Sequence, residues 1–189
     1  MIKKYLILQI LILFHLCLIA QKKQTILITY YSETGKTALL ANSIKKGASI
    51  DNRVNVVLKK MDETTKKDLL SADAIIVGSP VHNANPAYEV LKFIESWPFE
   101  GAPLKNKVGA VFVTGGGISS GEELTQVALI HSMLVYGMII VGGDDWTSSF
   151  GASAITNEAP FDKNLSPMFL RKAEQLGKRV AELTTRLNK

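Results

Sequence analysis

Hydroxyl-bearing side chains are concentrated in residues 29–37, which read Thr-Tyr-Tyr-Ser-Glu-Thr-Gly-Lys-Thr. The segment follows an apolar stretch of strand length and precedes a helical pattern, so it forms a strand-to-helix turn. A helix N-terminus has unpaired backbone N–H groups and a partial positive charge, and Ser32, Thr34 and Thr37 add hydroxyl donors there. These residues predict a phosphate site. The alternative is a helix capped by serine or threonine that binds no ligand.

Two common nucleotide-binding patterns are absent from this turn. Gly35-Lys36-Thr37 matches the end of the Gly-x-x-x-x-Gly-Lys-Ser/Thr loop, but Tyr30 stands where the first glycine of that loop belongs. The Gly-x-Gly-x-x-Gly pattern of dinucleotide-binding turns is missing as well. The turn therefore predicts a monophosphate site and excludes the usual triphosphate and dinucleotide sites.

Two later loops have compositions that are typical of ligand contact. Residues 78–85 read Gly-Ser-Pro-Val-His-Asn-Ala-Asn, and residues 114–121 read Thr-Gly-Gly-Gly-Ile-Ser-Ser-Gly. Four glycines in the second of these allow the backbone to approach a flat ligand and to direct N–H groups at its carbonyl oxygens. A tight connection without a ligand is the alternative. We favour the ligand, because all three loops are expected at one edge of a sheet.

The elements that position these loops alternate along the chain. Five apolar segments have the length of strands buried on both faces, at residues 25–30, 54–58, 74–78, 108–113 and 138–141. Helical patterns follow each of them, and the polar segment 60–72 has the weakest pattern. This order predicts an α/β three-layer sandwich whose parallel sheet binds ligands beyond the carboxyl ends of its strands.

Four of the helical patterns have an apolar stripe that predicts their buried face, and the last of them begins at Ser166-Pro167. Asn85 and Pro86 are expected to begin the second of them, as its cap and its first residue. His131 lies within the third stripe and is expected to be a core histidine. The other members of this stripe are Leu124, Val127, Ala128, Leu134 and Val135.

Several of these motifs resemble, in order and spacing, landmarks of the flavodoxin-like superfamily and its NAD(P)H:quinone oxidoreductase (WrbA-type) branch. They are Ser32-x-Thr34-Gly35-x-Thr37, then Gly78-Ser79-Pro80, Thr114-Gly115-Gly116 with Gly121, and residues 136–141, and the likeness covers residues 25 to about 188. The resemblance implies a flavodoxin-like fold with five parallel strands in the order 2-1-3-4-5, and FMN as cofactor.

The resemblance also implies roles for individual residues. The FMN phosphate would contact Ser32, Glu33, Thr34, Gly35, Lys36 and Thr37. The isoalloxazine ring would contact Ser79, Pro80, Val81, His82, Asn83, Thr114, Gly115, Gly116, Gly117 and Gly121. His82 is the one candidate for a catalytic group, and an exposed loop histidine is its alternative. Trp97 and Tyr136 would contact the substrate.

The chain departs from that branch at several positions. Asn83 and Ala84 replace an aromatic residue followed by glycine, so a wall of the ring site is in question. Tyr136 stands where the branch often has histidine, and the segment between strands 2 and 3 is shorter.

These observations predict an FMN oxidoreductase that transfers electrons from NAD(P)H, its co-substrate, to a quinone or similar acceptor. In such an enzyme the cofactor supplies the chemistry. The alternatives are a flavodoxin-type electron carrier without nicotinamide reductase activity, and a binding protein without flavin. The expected partners are these small molecules, with a homo-oligomer as a further possibility. No metal and no nucleic acid is expected, because histidines are few and the basic residues are scattered.

The first twenty residues differ from the rest of the 189-residue chain. Lys3 and Lys4 precede an apolar run that ends at Ala20, which is typical of a secretory signal peptide. We expect residues 1–20 to be that signal and residues 21–189 to form one FMN-binding domain. The expected location is periplasmic, with membrane contact only through the N-terminal segment. An uncleaved anchor, or a cytoplasmic protein with an overextended start, is the alternative.

The net charge and the number of cysteines are counted here for residues 21–189, the part that would remain after cleavage. Of the 22 basic and 17 acidic residues, removal of the two lysines leaves a net charge of +3. The single cysteine, Cys17, lies in the N-terminal segment, so residues 21–189 contain no thiol. Disulfide and thiolate chemistry are therefore excluded in that part of the chain.

Overall fold

The computed structural model describes residues 23–157 and 164–187. The strands are β1 (Gln24–Tyr30), β2 (Val54–Lys60), β3 (Ala74–His82), β4 (Asn85–Pro86), β5 (Val108–Gly115), β6 (Ile139–Ile140) and β7 (Ala152–Ile155). The helices are α1 (Lys36–Ala48), α2 (Lys66–Ser71), α3 (Tyr88–Glu95), α4 (Glu122–Val135) and α5 (Pro167–Leu187). Short 3₁₀ turns lie at Met61–Glu63 and Trp146–Ser148.

The strands form one sheet in the order β2-β1-β3-β5-β6, and the pairs along this path are parallel. The parallel α/β architecture is as predicted. The prediction of five strands in the order 2-1-3-4-5 is wrong in detail, because the sheet of the described residues has seven. The two additional strands are β4, which pairs antiparallel with β3, and β7, which pairs parallel with β5.

The edge beside β5 consists of two short strands. β6 pairs with the start of β5, from Val108, whereas β7 pairs with its end, from Phe112 to Gly115. The sequence predicts a single strand at 138–141 and, from its length, a lid or ligand wall in the loop 142–165. Instead, the chain leaves the sheet after β6 and returns as β7, which lies inside the expected lid. Residues 158–163 of that loop lie outside the described residues.

The helices cover both faces of the sheet. α1 and α5 pack on one face, and α2, α3 and α4 pack on the other. α1 and α5 cross at backbone contact, because a Cβ added to Gly47 would lie 1.9 Å from the Glu174 carbonyl oxygen. A Cβ on Gly177 would lie 2.0 Å from the Ile44 carbonyl oxygen. Only glycine fits at either position.

The start of α3 differs from the prediction, and the start of α2 adds detail to it. Asn85 and Pro86 form β4 instead of beginning α3, which starts at Tyr88. The polar segment before β3 does contain a short helix, α2. Thr65 and Asp68 form a capping box at its start, in which each side chain accepts a hydrogen bond from the other residue's backbone N–H.

The predicted buried face of α4 is wrong. Its buried residues are Thr125, Gln126, Leu129 and Met133. The predicted stripe faces outward instead, with Leu124, Leu134 and Val135 more than half exposed and His131 exposed as well. The periodicity misleads here because α4 has apolar residues on two opposite sides.

The predicted signal segment, residues 1–20, lies outside the described residues. Within residues 23–157 and 164–187, no helix combines the length and the apolar character needed to cross a membrane.

Candidate functional site

The carboxyl ends of β1, β3 and β5 lie side by side at one edge of the sheet. Tyr30 at the end of β1 pairs with Gly78, and Thr114 near the end of β5 pairs with Pro80. The three predicted loops follow these strand ends, so they lie together as expected for parallel strands. We call residues 31–35 the phosphate loop, 79–87 the second loop and 114–121 the third loop.

The phosphate loop leads into α1 through a left-handed turn. Gly35 has φ 86°, and as the residue before α1 it has no side chain with which to cap the first turn. A Cβ at Gly35 would meet no atom within 4 Å, so the space in front of the helix is open. Ser32 Oγ accepts a hydrogen bond of 3.3 Å from the Ala38 backbone N–H. Ser32 thus caps one N–H group of the first turn, and a helix N-terminus that faces open space fits a phosphate group.

Two buried hydroxyls join the phosphate loop to the third loop. Thr37 Oγ1 and Thr114 Oγ1 lie 2.8 Å apart, and the two residues are 2% and 5% exposed. Each hydroxyl can still make a further hydrogen bond, because a hydroxyl both donates and accepts. The pair therefore fixes α1 relative to the end of β5.

Lys36 is buried rather than directed into water. Its Nζ donates a hydrogen bond of 3.3 Å to the Asn164 backbone oxygen, in the segment that leads into α5. The side chain thus ties the start of α1 to the start of α5. Its contact with phosphate stays a prediction.

The second loop is a two-residue hairpin between β3 and β4. Asn83 and Ala84 have φ 51° and 60°, the left-handed conformation that both central residues of a type I′ turn require. The turn therefore keeps its shape although alanine stands where the resembled branch has glycine. Ser79 is fully buried, and its Oγ accepts a hydrogen bond from Ala87 N and donates to the Pro80 backbone oxygen. Ser79 thus holds the loop from within, and its contact with the ring stays a prediction.

The third loop is held by its own side chains. The Glu122 carboxylate accepts hydrogen bonds from the N–H groups of Ser119 and Ser120. Ser120 Oγ accepts one from Gly117 N and donates to the Gly117 oxygen. The Gly117 N–H group, which belongs to a predicted ring contact, is therefore engaged within the loop, as are those of Ser119 and Ser120.

Glycine allows the second and third loops to touch. Gly121 has φ 100°, and a Cβ there would lie 2.4 Å from the Ala84 Cβ. Val81 lies in ordinary contact distance, 3.7 Å, from a Cβ position at Gly115. The two loops form one continuous wall beside the phosphate loop.

Glu33 connects the phosphate loop to the second loop. One carboxylate oxygen accepts a hydrogen bond of 3.0 Å from the Tyr31 hydroxyl, and the other lies 3.7 Å from His82 Nε2. Burial and the bond to Glu33 raise the pKa of the Tyr31 phenol above its ordinary value. His82 is thus at the edge of the site, where a charged imidazolium would pair with Glu33.

A groove of about 740 Å³ adjoins the phosphate loop on the α3 side of the sheet. Its walls carry aromatic rings and charges of both signs, with Tyr31 and Ser32 at the end shared with the site. The other lining residues include Lys60, Asp62, Tyr88, Glu89, Lys92 and Phe93. Its volume lies within the range of roughly 300–1,000 Å³ that is usual for small-molecule sites.

Trp97 and Tyr136 do not belong to this site. Helices that connect parallel strands run back across the sheet, so the residues after α3 and α4 lie where the strands begin. There the two rings pack 5.3 Å apart, and the Tyr136 hydroxyl donates a 2.8 Å hydrogen bond to the Ile94 oxygen. Trp97 is 3% exposed. The two residues therefore lie away from the three loops, and their contact with substrate stays a prediction.

The structure thus brings together all three predicted loops. Sequence reasoning missed Tyr31, Glu122 and the groove. The spacing of Glu122 from the Ser119-Ser120 pair is a detectable signal, because serine and glutamate three residues apart often pair at helix starts. The groove had no such signal, since its walls come from β1, β2 and α3.

The fold places the protein in a known class. A flavodoxin, WrbA-like protein from Agrobacterium tumefaciens matches with a TM-score of 0.73 at 22% identity, over 87% of this chain and 99% of that one. This likeness shows the flavodoxin-like fold.

Sequence comparisons define the family. The family model for NADPH-dependent FMN reductase matches residues 34–153. A flavodoxin from Clostridium saccharobutylicum is 34% identical over 61% of this chain and 71% of its own length. An NAD(P)H dehydrogenase (quinone) from Syntrophus aciditrophicus is 30% identical over 71% of this chain and 85% of its own length. The chain belongs to the NADPH-dependent FMN reductase family, which is a group of FMN-binding flavodoxin-like oxidoreductases.

Proposed function

We propose that the protein is an NAD(P)H-dependent FMN oxidoreductase that reduces a quinone or a similar acceptor. The observation that supports it best is the arrangement of the site: a helix N-terminus that faces open space, two loops in contact and an adjoining groove meet at one sheet edge. A phosphate, a flat ring and a second reactant each have a place in this arrangement. The family membership supports FMN as the cofactor.

The residues divide into three tasks. The phosphate loop and the start of α1 would hold the FMN phosphate through backbone N–H groups and the hydroxyls of Thr34 and Thr37. Val81, His82 and Asn83 of the second loop and Gly115 and Gly116 of the third would border the ring. Bound FMN would accept hydride from the nicotinamide and pass electrons to the acceptor. The protein's own part is to position both reactants and to exclude water.

The groove favours a reductase over an electron carrier. A carrier meets its partner protein at an exposed flavin edge and needs no space for a second small molecule, whereas a reductase does. The net charge of +3 expected after signal cleavage also differs from the acidic surface typical of flavodoxin-type carriers. The Clostridium flavodoxin relative keeps the carrier as the second candidate.

A spectrum of the purified chain tests the proposal. The protein would be saturated with FMN, freed of excess flavin, and mixed with NADH or NADPH without oxygen, followed by a quinone. A retained flavin that bleaches with nicotinamide and recovers with quinone is the expected result. A flavin that only dithionite reduces would establish the carrier instead, and no retained flavin would exclude both.

A matched pair of variants tests whether the observed loops hold the flavin. Gly121→Ala places a methyl group against Ala84, whereas Gly101→Ala has the same kind of strained φ, 75°, with no atom within 4 Å. Only Gly121→Ala should weaken FMN retention, by about tenfold. Equal retention in both variants would place the flavin elsewhere.

We further propose that residues 1–20 direct export, so that the reductase acts in the periplasm. The basic start and apolar run of this segment support it. N-terminal sequencing of the protein recovered from periplasmic and cytoplasmic fractions tests it. A start near Gln21 in the periplasm is expected, and an intact Met1 in the cytoplasm would contradict it.

A further inference from the structure

The outward face of α4 is apolar along its whole length. Leu124, Leu134 and Val135 are 65%, 51% and 68% exposed, and Val127 and Ala128 are partly exposed between them. We call these five residues and the exposed His131 the α4 stripe. At 3.6 residues per turn, the stripe lies roughly opposite the buried face of the helix. α4 is therefore apolar on both sides, yet the sheet covers only one of them.

A helix with apolar residues on opposite sides is expected to be covered on both. On the same sheet face, α3 also exposes Tyr88 and Leu91, but the exposed Glu89, Lys92 and Glu95 lie among them, so its outward surface is mixed. The apolar surface also continues past the end of α4, where the 62% exposed Phe99 ring packs 5.7 Å from Tyr136. A continuous exposed apolar surface of this kind marks an interaction site.

We propose that the α4 stripe binds the same stripe of a second copy of this chain, with the two helices antiparallel across a two-fold axis. The sequence of the stripe is self-complementary in this arrangement. With the axis between Ala128 and His131, the small Ala128 faces the larger His131 of the other copy. Leu124 then faces Val135, so the ends of the stripe also meet apolar side chains.

Charges at the two ends of α4 fit the same orientation. Glu123 is exposed at the first turn. Lys105, which precedes β5, is exposed beside the last turn of α4. Its side chain lies 3.2 Å from a Cβ position at Gly137, just after the helix. Neither takes part in an ion pair or side-chain hydrogen bond within the residues the structure describes. Antiparallel pairing brings Glu123 of each copy to Lys105 of the other, whereas parallel pairing brings like charges together.

The size of the stripe sets the expected strength. α4 has 14 residues and is about 21 Å long, so one stripe with Phe99 buries less than the roughly 800 Å² per partner of a standard interface. The dimer is therefore expected to be weak, with a dissociation constant in the micromolar range. It does not depend on the proposed flavin chemistry, because the stripe lies outside the three loops.

Site-specific cross-linking tests the pairing and its direction. In the full chain, with the native cysteine removed as Cys17→Ser, two separate variants would carry Leu124→Cys or Val135→Cys. A short bis-maleimide would be added to each alone and to their mixture. We expect at least ten times more cross-linked dimer in the mixture than in either variant alone. Equal yields, or more product from the single variants, would overturn the antiparallel pairing.

A control cysteine separates this interface from other association. Leu39→Cys lies on α1, on the opposite face of the sheet, and its leucine is also partly exposed. Its mixture with Val135→Cys should give only background product, and efficient linking there would overturn the proposal. Sedimentation velocity gives a second test: Val135→Glu should shift the chain to monomer, and Leu39→Glu should not. Identical sedimentation of the two variants would also count against the interface.

Discussion

The two faces of the sheet are closed in different ways. On one face, α1 and α5 cross in backbone contact at Gly47 and Gly177, and α1 starts at the phosphate loop. The other face has a groove of about 740 Å³ between β2 and α3 and an apolar stripe on the outside of α4. The comparison indicates that the face which positions the cofactor is locked by packing, whereas the other face leaves room for partners.

The largest effect on stability is expected at the crossing of α1 and α5, where the two backbones are in contact. Gly177→Ala should lower the free energy of unfolding by about 2–4 kcal/mol, because the new methyl group collides with the Ile44 carbonyl. The gain in helix propensity of about 1 kcal/mol is too small to compensate. Urea unfolding followed by circular dichroism measures the change. Gln175→Ala, on the exposed side of the same helix, is the control, and a stabilised Gly177→Ala variant would show that the crossing is loose.

The next largest effect concerns the hydroxyl pair that connects the locked face to the site. Thr37→Val should weaken FMN binding by about tenfold, because Thr114 loses its buried partner and α1 loses its link to β5. Quenching of flavin fluorescence on titration measures the affinity. Thr125→Val is a matched control, since its buried hydroxyl has no hydrogen-bond partner within the described residues. Equal losses in both variants would contradict a specific role for the pair.

A smaller effect on stability is expected at α2, which lies on the same sheet face as α3 and α4 and whose start is held by the charge of Asp68. Lys59 and Thr65 hydrogen-bond Asp68 and lower its pKa to about 2 from 3.8. Since the folded-state pKa is depressed, the stabilisation is present above about pH 4 and is lost as the pH falls toward 2.

Asp68→Asn should therefore lower the free energy of unfolding by about 1 kcal/mol at pH 7 and by less as the pH approaches 2. Urea unfolding at a series of pH values measures the difference. Glu63→Gln, in the preceding exposed turn, should have little effect at any pH. A cost that stays constant down to pH 2 would show that the carboxylate charge contributes nothing.

The smallest effect is expected at the Trp97–Tyr136 pair, at the edge of the sheet where the strands begin. Tyr136→Phe should cost about 1 kcal/mol of stability through loss of the bond to Ile94, and should leave the KM values for nicotinamide and quinone unchanged. Thermal unfolding and steady-state kinetics measure the two quantities. Tyr88→Phe, at an exposed ring, controls for the stability effect. A tenfold change in KM for Tyr136→Phe would return that residue to the substrate site.

The main fold could be predicted because buried parallel strands are continuous apolar runs. β1, β2, β3 and β5 all appear in the predicted positions, each extended by a few residues. β7 could not be found this way, because Ala152–Ile155 is a short run of small and polar residues. These residues form a strand because they pair with β5, and the periodicity of a sequence gives no information about such pairing.

The parts of the site that depend on backbone conformation could be predicted from the sequence. The parts that depend on contacts between distant residues could not. Glycines and hydroxyls identify the three loops, since few residues tolerate such turns. The buried role of Ser79 and the outward face of α4 depend on which neighbours pack against them. For α4, both sides satisfy the helical period equally well, so the period alone cannot select the face that meets the sheet.

The divided edge strand has a consequence for behaviour in concentrated solution. An exposed strand edge can add a strand from another molecule and so begin an aggregate. Beside β5, two-residue β6 and four-residue β7 give any added strand only a short ladder. At the other edge, β2 has seven residues but ends in the exposed Lys60, whose charge repels an identical strand in parallel register. Both edges of the sheet are thus protected from fibril-like growth, one by interruption and the other by charge.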